Sequence, residues 1–310
     1  MSEAKNLLEV RDLCMEFKTG NGKLIKALQN VSFDIKEGEV YGLVGESGSG
    51  KSTIGKCIIG LYRPTGGTVR FNGVEAGKGR VGKIFGEENN IQMIFQDPMS
   101  SLNPAMKVAD IVKEALDVRH IGANSQDREI IALEWLSKVG ISEKLADRYP
   151  EQFSGGQRQR VGIARAMATN PGLVIADECI AALDACVQAQ VINLLNDIKK
   201  ESRTAFLFIS HDLSMVRYLS DRIGVLHLGF LLETGTPDEI FEDPVHPYTK
   251  SLLSAIPKIN PIAWKSTGVV YDPEKAGINY SNGKWHEVSA THSVWCTDNE
   301  FEDWRRDGEK

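Results

Sequence analysis

The chain carries a glycine-rich run, Gly45-Glu46-Ser47-Gly48-Ser49-Gly50-Lys51-Ser52, which fits the pattern G-x-x-x-x-G-K-[ST] at every fixed position. The apolar run Val40–Val44 precedes it as a predicted buried strand, and a predicted helix over 51–61 follows it. Glycines permit backbone angles that point several N–H groups into one concavity, and the helix adds its positive N-terminal end. The run therefore predicts a phosphate-binding loop, in which Lys51 reaches the β- and γ-phosphates and Ser52 ligates Mg²⁺.

A second apolar run ends in two acidic residues. Leu173-Val174-Ile175-Ala176 predicts a buried strand, and Asp177 and Glu178 follow it directly. Their carboxylates would lie at the carboxyl edge of a sheet, where ligands bind in open α/β proteins. We expect Asp177 to hold the magnesium ion and Glu178 to accept a proton from the attacking water.

A third run, Phe153-Ser154-Gly155-Gly156-Gln157, precedes a predicted helix from Arg158 to Thr169. Ser154 is a good N-cap, and the paired glycines let the backbone approach a ligand closely. This would be a second anion site at a helix N-terminus, for which a chain with one phosphate loop has no evident use. A dimer explains it, because each chain's second site would close over the nucleotide of the other chain.

The order of the remaining elements indicates an α/β protein. Residues 7–44 read as strands and turns, and residues from about 98 to 168 are helical in pattern. Strands that alternate with helices after Pro171 imply a parallel sheet. The predicted elements there are strands at 173–176, 205–209 and 222–228 and helices at 185–200 and 212–220.

Composition excludes several classes of protein. Of the 310 residues, 42% are hydrophobic and 25% charged, which excludes a mostly disordered chain. Asp and Glu number 42 against 36 Lys and Arg, which argues against a generally basic nucleic-acid binder. No apolar run approaches the ~18 residues that span a bilayer, and no secretory signal is expected. The five cysteines are scattered along the sequence and odd in number, which is not typical of a disulfide framework. We therefore expect the protein to be kept in a reducing cytoplasm.

The phosphate loop, the run 153–157 and the acidic strand 173–178 stand in the order that ATP-binding cassette (ABC) ATPases have, and the chain resembles that family. Further single positions match: Gln96 resembles the Q-loop glutamine, Asp184 in Ala182-Leu183-Asp184 the D-loop aspartate, His211 the switch histidine, and Phe17 the aromatic residue that stacks on adenine.

The resemblance implies a site for ATP and Mg²⁺. Glu178 and His211 would be catalytic, and the signature residues Ser154, Gly155, Gly156 and Gln157 would contact the ATP of a partner chain. The metal would be held by Ser52, Gln96 and Asp177. The nucleotide contacts would come from Phe17, Gly45, Glu46, Ser47, Gly48, Ser49, Gly50, Lys51, Ser52, Thr53 and Gln96.

The same resemblance implies a fold and its division. We expect a P-loop NTPase core with an N-terminal antiparallel β subdomain and an inserted helical subdomain near 98–168. The nucleotide-binding domain would span 7–257, and 258–310 would be a C-terminal extension.

Three segments narrow the resemblance to the oligopeptide/dipeptide importer branch: Gln92 to Pro104, Tyr149 to Arg165 and His246 to Pro257. This implies an ATPase subunit that is peripheral on the cytoplasmic face of the membrane and energises peptide uptake. Its partners would be a second, commonly non-identical ATPase chain, two membrane-spanning permease subunits and an extracytoplasmic substrate-binding protein, with no nucleic acid.

Other functions stay open at this point. Branch members also serve oligosaccharide or nickel uptake, and a soluble ABC ATPase of DNA repair or translation is a further alternative. The latter resemble paired cassettes or one cassette split by a coiled coil or a zinc module, whereas this sequence has one cassette and no Cys/His pairs at zinc spacing. A catalytically inactive cassette is opposed by Lys51, Asp177, Glu178 and His211.

The chain departs from the family pattern at a few positions. Cys179 stands where the family usually has Pro, and Ala181 replaces a common Ser; both are small, so we expect activity to survive. Many branch members carry a C-terminal cysteine cluster, but 258–310 contains only Cys296. We therefore expect no iron–sulfur cluster and no structural zinc there. Instead, the tail would pack as a small appendage on the core or on its partner, through Trp285, Val288, Val294 and Trp295.

Overall fold

The computed structural model describes residues 5–20, 22–76, 90–256, 271–273, 275 and 277–308. The strands are β1 (Asn6–Lys18), β2 (Leu24–Lys36), β3 (Val40–Val44), β4 (Gly66–Phe71), β5 (Val74–Glu75), β6 (Ile91–Ile94), β7 (Leu173–Asp177), β8 (Ala205–Ile209), β9 (Arg222–His227), β10 (Phe230–Gly235), β11 (Lys284–Glu287) and β12 (Ser293–Cys296). The helices are α1 (Lys51–Ile58), α2 (Pro98–Ser101), α3 (Val108–Val118), α4 (Ser125–Lys138), α5 (Glu143–Ala146), α6 (Gly155–Ala168), α7 (Ala185–Glu201), α8 (Leu213–Leu219), α9 (Pro237–Glu242), α10 (Pro247–Ser254) and α11 (Asp298–Gly308). In the ranges just given, no helix has the length and apolar character needed to cross a membrane.

The central sheet has the strand order β11-β12-β10-β9-β3-β8-β7-β6. Five neighbouring strands run parallel to one another: β9, β3, β8, β7 and β6. At the other side of the sheet, β10 pairs antiparallel with β9, β12 with β10, and β11 with β12. Strands β3, β7 and β8 are buried along their whole length, as apolar strands covered on both faces should be. The predicted parallel α/β sheet is confirmed, and the carboxyl ends of β3, β7 and β8 meet at one edge.

The N-terminal residues form a separate antiparallel sheet in the order β2-β1-β4-β5. Leu8, Val10 and Leu13 of β1 are buried, so one face of this sheet packs into the core. The predicted antiparallel N-terminal sheet is confirmed. Helix α1 is shorter than the predicted 51–61: it ends at Ile58, because Gly60 turns the chain at a φ of 81°.

Helices α2 to α6 occupy the stretch that the sequence predicts to be helical. Helices α3, α4 and α6 pack on one another through a buried apolar surface. Pro150 begins a single 3₁₀ turn, and Ser154 then caps α6. Helix α6 therefore starts at Gly155 rather than at the predicted Arg158, because the Ser154 cap places both glycines inside the first helical turn.

Trp285 and Trp295 of the C-terminal extension pack against the core, one of the two placements that the sequence predicts, but the strands that carry them are not predicted. Strand β12 pairs with β10, and β11 pairs with β12, so the described part of the extension continues the central sheet. The hairpin adds to the sheet because the outer edge of β10 would otherwise be unpaired. Strand β12 pairs with that edge at Glu233 and Thr234. Val294 is fully buried in that position, and Trp285 packs against the core. The proposed boundary between 257 and 258 lies outside the described residues.

Candidate functional site

The phosphate loop connects β3 to α1 and lies in close contact with the backbone at Leu226 and at Ala27. Gly45 adopts a φ of 150°, and a Cβ there would collide with the carbonyl oxygen of Leu226. Gly50 adopts a φ of 110°, and a Cβ there would lie 2.7 Å from the carbonyl oxygen of Ala27. Only glycine fits such backbone geometry at such close approach, so the loop is a shaped cradle for phosphate groups.

Lys51 lies inside this cradle. Its Nζ donates 2.8 Å hydrogen bonds to the carbonyl oxygens of Gly45 and Glu46. Burial lowers the pKa of Lys51, and the negative charges of Glu178 and Asp177 oppose that shift. The amine therefore lies at the loop, beside two carboxylates and within reach of any phosphate that the loop holds.

Two of the side chains that the sequence predicts to hold Mg²⁺ come from two different elements and meet in the structure. The Ser52 hydroxyl, on the first turn of α1, donates a 2.7 Å hydrogen bond to Asp177 Oδ1 at the end of β7. Burial raises the pKa of Asp177, while the hydrogen bond from Ser52 lowers it. A hydroxyl and a carboxylate are hard oxygen donors of the kind that Mg²⁺ prefers, so these residues fit the ion.

Glu178 lies between two other predicted residues. Its Oε2 accepts a 2.9 Å hydrogen bond from Gln96 Nε2, and its Oε1 lies 3.5 Å from His211 Nδ1. Glu178 adopts a φ of 44°, a left-handed conformation that costs about 1 kcal/mol or more for a residue with a side chain. Its N–H donates to the carbonyl oxygen of Ile209. The strained backbone thus points the carboxylate toward Gln96 and His211.

A cavity of about 230 Å³ opens over the loop, and we call it the phosphate-loop cavity. It brings together many of the predicted residues. A larger cavity of about 530 Å³, lined by residues of α8, α9 and α10, contains none of them, so its size does not make it the nucleotide site. The residues that line the phosphate-loop cavity are Ala27, Ser47, Gly48, Gly50, Lys51, Ser52, Thr53, Gln96 and Glu178.

One residue of the cavity lining escaped the sequence reasoning, and one predicted nucleotide contact does not line the cavity. Ala27 lines the cavity, and no local motif marks it, because β2 reaches the loop only through tertiary packing. Phe17 is absent from the cavity lining; its ring meets the edge of Tyr62 with centroids 5.3 Å apart. Stacking of Phe17 on adenine therefore stays a prediction.

The signature residues lie at the start of α6, where Ser154 and Gly155 are exposed and Gly156 is buried, and none of the four lines the phosphate-loop cavity. Ser154 and Gln157 cap each other: Gln157 N–H donates to Ser154 Oγ, and Ser154 N–H donates to Gln157 Oε1. A Cβ on Gly156 would collide with Val187 of α7. Asp184 caps α7 by accepting a hydrogen bond from the backbone N–H of Val187. The D-loop and the signature therefore both lie against Val187.

Cys179 and Ala181, the two departures from the family pattern, do not line the phosphate-loop cavity. Cys179 is 2% exposed, and burial raises the pKa of its thiol to about 12. The thiol therefore stays neutral and fills the core as a small apolar group. Ala181 N–H donates to the carbonyl oxygen of Glu178, which closes the turn after the acidic strand.

Comparisons with known proteins agree with this geometry. A family model described as "ABC transporter" matches residues 28–181, and one described as "Oligopeptide/dipeptide transporter, C-terminal region" matches 232–277. The chain is 47% identical over 309 residues to a dipeptide transport ATP-binding protein, DppF, of Lactococcus lactis subsp. cremoris (strain MG1363), with 99% of each chain covered. The chain belongs to the ABC family.

Two further relatives support that membership. An oligopeptide transport ATP-binding protein, OppF, of Bacillus subtilis (strain 168) is 49% identical over 301 residues, which cover 96% of this chain and 98% of the relative. Among solved structures, a dimeric post-hydrolysis state of the ATP-binding cassette MJ0796 bound to ADP and Pi superimposes with a TM-score of 0.68 at 31% identity. That match covers 74% of this chain and 98% of the other. This ABC transporter chain is accordingly an ATPase.

Proposed function

We propose that this chain is the ATP-hydrolysing subunit of an importer for oligopeptides or dipeptides. The observation that carries the proposal is the position of Glu178, whose carboxylate contacts Gln96 and His211 at the mouth of the phosphate-loop cavity. Similarity over nearly the whole chain to proteins named for dipeptide and oligopeptide transport supports the cargo class.

Each residue of the cavity has a role in the proposed reaction. Lys51 would exchange the carbonyl oxygens of Gly45 and Glu46 for the phosphates of ATP, and the loop N–H groups would hold those phosphates. Glu178 would take the proton of the attacking water. Gln96 would orient that water, and His211 would contact the γ-phosphate.

The metal site would be completed by the same side chains. Ser52, Asp177 and Gln96 would hold Mg²⁺, which when bound neutralises charge on the β- and γ-phosphate oxygens. Because Asp177 is 5% exposed, its carboxylate is shielded from solvent and held in place by Ser52.

A second ATPase chain would complete each site. Ser154, Gly155 and Gln157 lie at a helix N-terminus with no contact to the chain's own phosphate-loop cavity, which suits binding of the partner's ATP. ATP binding would close such a pair and hydrolysis would release it, because the closed state binds ATP more tightly. The partner would be a homologous, non-identical chain.

The remaining partners would be two membrane-spanning permease subunits and an extracytoplasmic substrate-binding protein. The chain would then be peripheral on the cytoplasmic face of the membrane. The family region matched at 232–277 supports the peptide branch over a soluble ABC ATPase.

The test is purification of the tagged chain from membranes, followed by reconstitution of the complex in vesicles. We expect permease subunits to co-purify and ATP hydrolysis to rise when binding protein loaded with a short peptide is added. Lys51→Ala should abolish both turnover and uptake, because the phosphates lose their positioning charge. Stimulation by an oligosaccharide or nickel but not by peptides would overturn the cargo assignment; near-normal turnover of Lys51→Ala would overturn the ATPase site.

A further inference from the structure

A buried side chain from the C-terminal part of the protein reaches the phosphate loop. The backbone N–H of Glu46 donates a 3.0 Å hydrogen bond to Tyr248 Oη, across a sequence separation of 202 residues. Tyr248 lies in the first turn of α10 and is 1% exposed. It does not line the phosphate-loop cavity, so it contacts the loop from the protein side rather than from the nucleotide side.

The Tyr248 ring is fixed by a buried group of aromatic side chains. His227, at the end of β9, stacks on it with ring centroids 4.0 Å apart and planes 19° apart. His227 Nδ1 in turn lies 2.8 Å from Tyr280 Oη, and Tyr280 Oη lies 3.2 Å from Tyr271 Oη. Tyr271 and Tyr280 belong to the C-terminal extension, so the extension holds the ring in place.

The start of α10 is fixed by the same extension. The Glu233 carboxylate is fully buried and accepts hydrogen bonds from the N–H groups of Val245 and His246, at 2.7 and 3.1 Å. His292 Nε2 lies 2.8 Å from the same carboxylate, and Trp304 packs edge-on against the His246 ring. Strand β10, the start of α10 and the C-terminal extension therefore meet at the Glu233 carboxylate. Because Tyr248 lies in the first turn of α10, these contacts restrict its movement.

The backbone of Glu46 is held through both of its peptide groups, by its N–H on one side and its carbonyl oxygen on the other. Its carbonyl oxygen accepts from Lys51 Nζ at 2.8 Å and from Ser49 N–H at 3.2 Å, while its N–H is held by Tyr248. When Lys51 turns toward a phosphate, its bond to the Glu46 carbonyl is lost. The hydrogen bond from Glu46 N–H to Tyr248 Oη does not depend on Lys51, so it persists when Lys51 turns and keeps the loop in shape. Burial raises the pKa of Tyr248, which keeps the phenol neutral.

We propose that Tyr248 is a positioning residue for ATP binding, through which the C-terminal extension holds the phosphate loop in its binding conformation. The proposal rests on the ATPase function proposed above. It concerns affinity rather than chemistry, because Tyr248 contacts a loop N–H and none of the residues assigned to the water or the metal.

The test is Tyr248→Phe, which removes one hydroxyl oxygen and leaves the stacked ring. We expect the KM for ATP of the assembled transporter to rise roughly three- to tenfold, because a partly buried N–H loses its acceptor. We expect kcat to stay within about twofold. Tyr41→Phe is the matched control: it also removes a fully buried tyrosine hydroxyl, whose partner is Thr234 Oγ1 at 3.3 Å, and should leave KM unchanged.

A second measurement works without nucleotide. Hydrogen exchange of the Glu46 amide in the full, nucleotide-free chain should be faster in Tyr248→Phe than in the wild type, and unchanged in Tyr41→Phe. Tyr280→Phe removes the hydroxyl that contacts His227 and should raise KM by a smaller factor than Tyr248→Phe.

The outcomes separate the two proposals. A folded Tyr248→Phe chain with wild-type KM and wild-type Glu46 exchange would overturn the role of Tyr248. Unchanged KM in Tyr280→Phe would overturn the part played by the extension. Failure of the wild-type chain to bind ATP would instead overturn the proposed function, and the exchange measurement on the nucleotide-free chain would still report on Tyr248.

Discussion

The Ser52 hydroxyl donates a 2.7 Å hydrogen bond to the Asp177 carboxylate, so the first turn of α1 and the end of β7 are joined directly. The two residues are separated by 125 positions in sequence. They meet because parallel strands β3, β8 and β7 bring their carboxyl ends to one edge. The two oxygen groups that we propose as metal donors are thus already in contact in this structure, which lowers the free-energy cost of ordering them for binding.

Replacement of Glu178 by Gln should separate ATP binding from hydrolysis. The amide oxygen can still accept the hydrogen bond from Gln96, but the amide cannot take a proton. We expect ATP affinity within about twofold of wild type and hydrolysis slower by on the order of 100-fold or more. The closed dimer should accumulate with ATP, as measured by size-exclusion chromatography with light scattering.

Glu201→Gln is a matched control, because Glu201 is a surface residue at the end of α7, and it should hydrolyse ATP normally. A wild-type rate for Glu178→Gln, in a complex whose partner site is disabled, would show that another group is the base.

Replacement of Gly156 by Ala should destabilise the chain although Ala favours helices. The added Cβ collides with Val187, a stiff β-branched side chain, and overpacking of this kind costs about 1–3 kcal/mol. Gly155→Ala adds the same methyl group one residue earlier, where the nearest side-chain atom is Leu183 Cδ2 at 3.9 Å. Thermal unfolding of the nucleotide-free chain should show a lower Tm only for Gly156→Ala.

The double variant Gly156→Ala/Val187→Ala should recover part of the loss, because the smaller side chain vacates the space that the new Cβ needs. Equal Tm values for Gly155→Ala and Gly156→Ala would show that α6 and α7 are not packed closely at this point.

Two buried histidines should make the stability of the chain pH-dependent. Burial lowers the pKa of His227 to about 4 and, with smaller effects of His227 and Lys250, that of His246 to about 3. The unfolded chain binds protons at these residues below about pH 6.5, while the folded chain leaves them neutral. Their contribution is therefore complete above pH 6.5 and is lost as the pH falls toward 4. Each should account for on the order of 2 kcal/mol between pH 6.5 and pH 5.

Urea unfolding at pH 7 and pH 5 measures this effect. In His246→Asn the side chain can still cap α10, as the His246 ring now does by accepting from Tyr248 N–H, but it does not titrate. We expect the variant to lose less stability than the wild type over that interval. An equal loss in both chains would mean that His246 is already protonated in the folded state.

The C-terminal extension is predicted to hold neither an iron–sulfur cluster nor structural zinc. Cys296 is 3% exposed, and burial, with the charges of Glu300, Asp298 and Glu233, raises the pKa of its thiol to about 12. His292 already contacts Glu233. Elemental analysis and visible absorption of anaerobically purified protein are the measurements. Near-stoichiometric iron with a broad visible band, or zinc whose chelation unfolds the chain, would contradict the prediction.

The parts of the site that sequence predicts are those encoded by short local patterns. Lys51 and Ser52 follow from glycine spacing, and Asp177 and Glu178 follow from an apolar strand that ends in acids. Such patterns fix local backbone conformation directly, so their structural context is readable from neighbouring residues. The domain division and the role of each site residue stay predictions.

The parts that escaped prediction depend on distant contacts. Tyr248 reaches Glu46 only because β9, β10 and α10 fold back beside β3, and no pattern near either residue indicates it. Strands β11 and β12 are only four residues long each, and their register comes from the edge of β10 rather than from clear alternation. The sequence therefore predicts that the tail packs on the core or on its partner, but does not predict the antiparallel hairpin.

The hairpin on β10 also bears on solubility. Strand β10 pairs with β12 at Glu233 and Thr234, so the backbone of its outer edge is covered at these two residues. An open apolar edge is a template for pairing with other chains and for aggregation. The hairpin replaces it with the short strand β11, which begins at Lys284 and ends at Glu287, and charged residues on a short edge strand discourage such pairing. A chain shortened before β11 should therefore self-associate more readily than the whole chain, through the backbone of Glu233 and Thr234 that the hairpin otherwise covers.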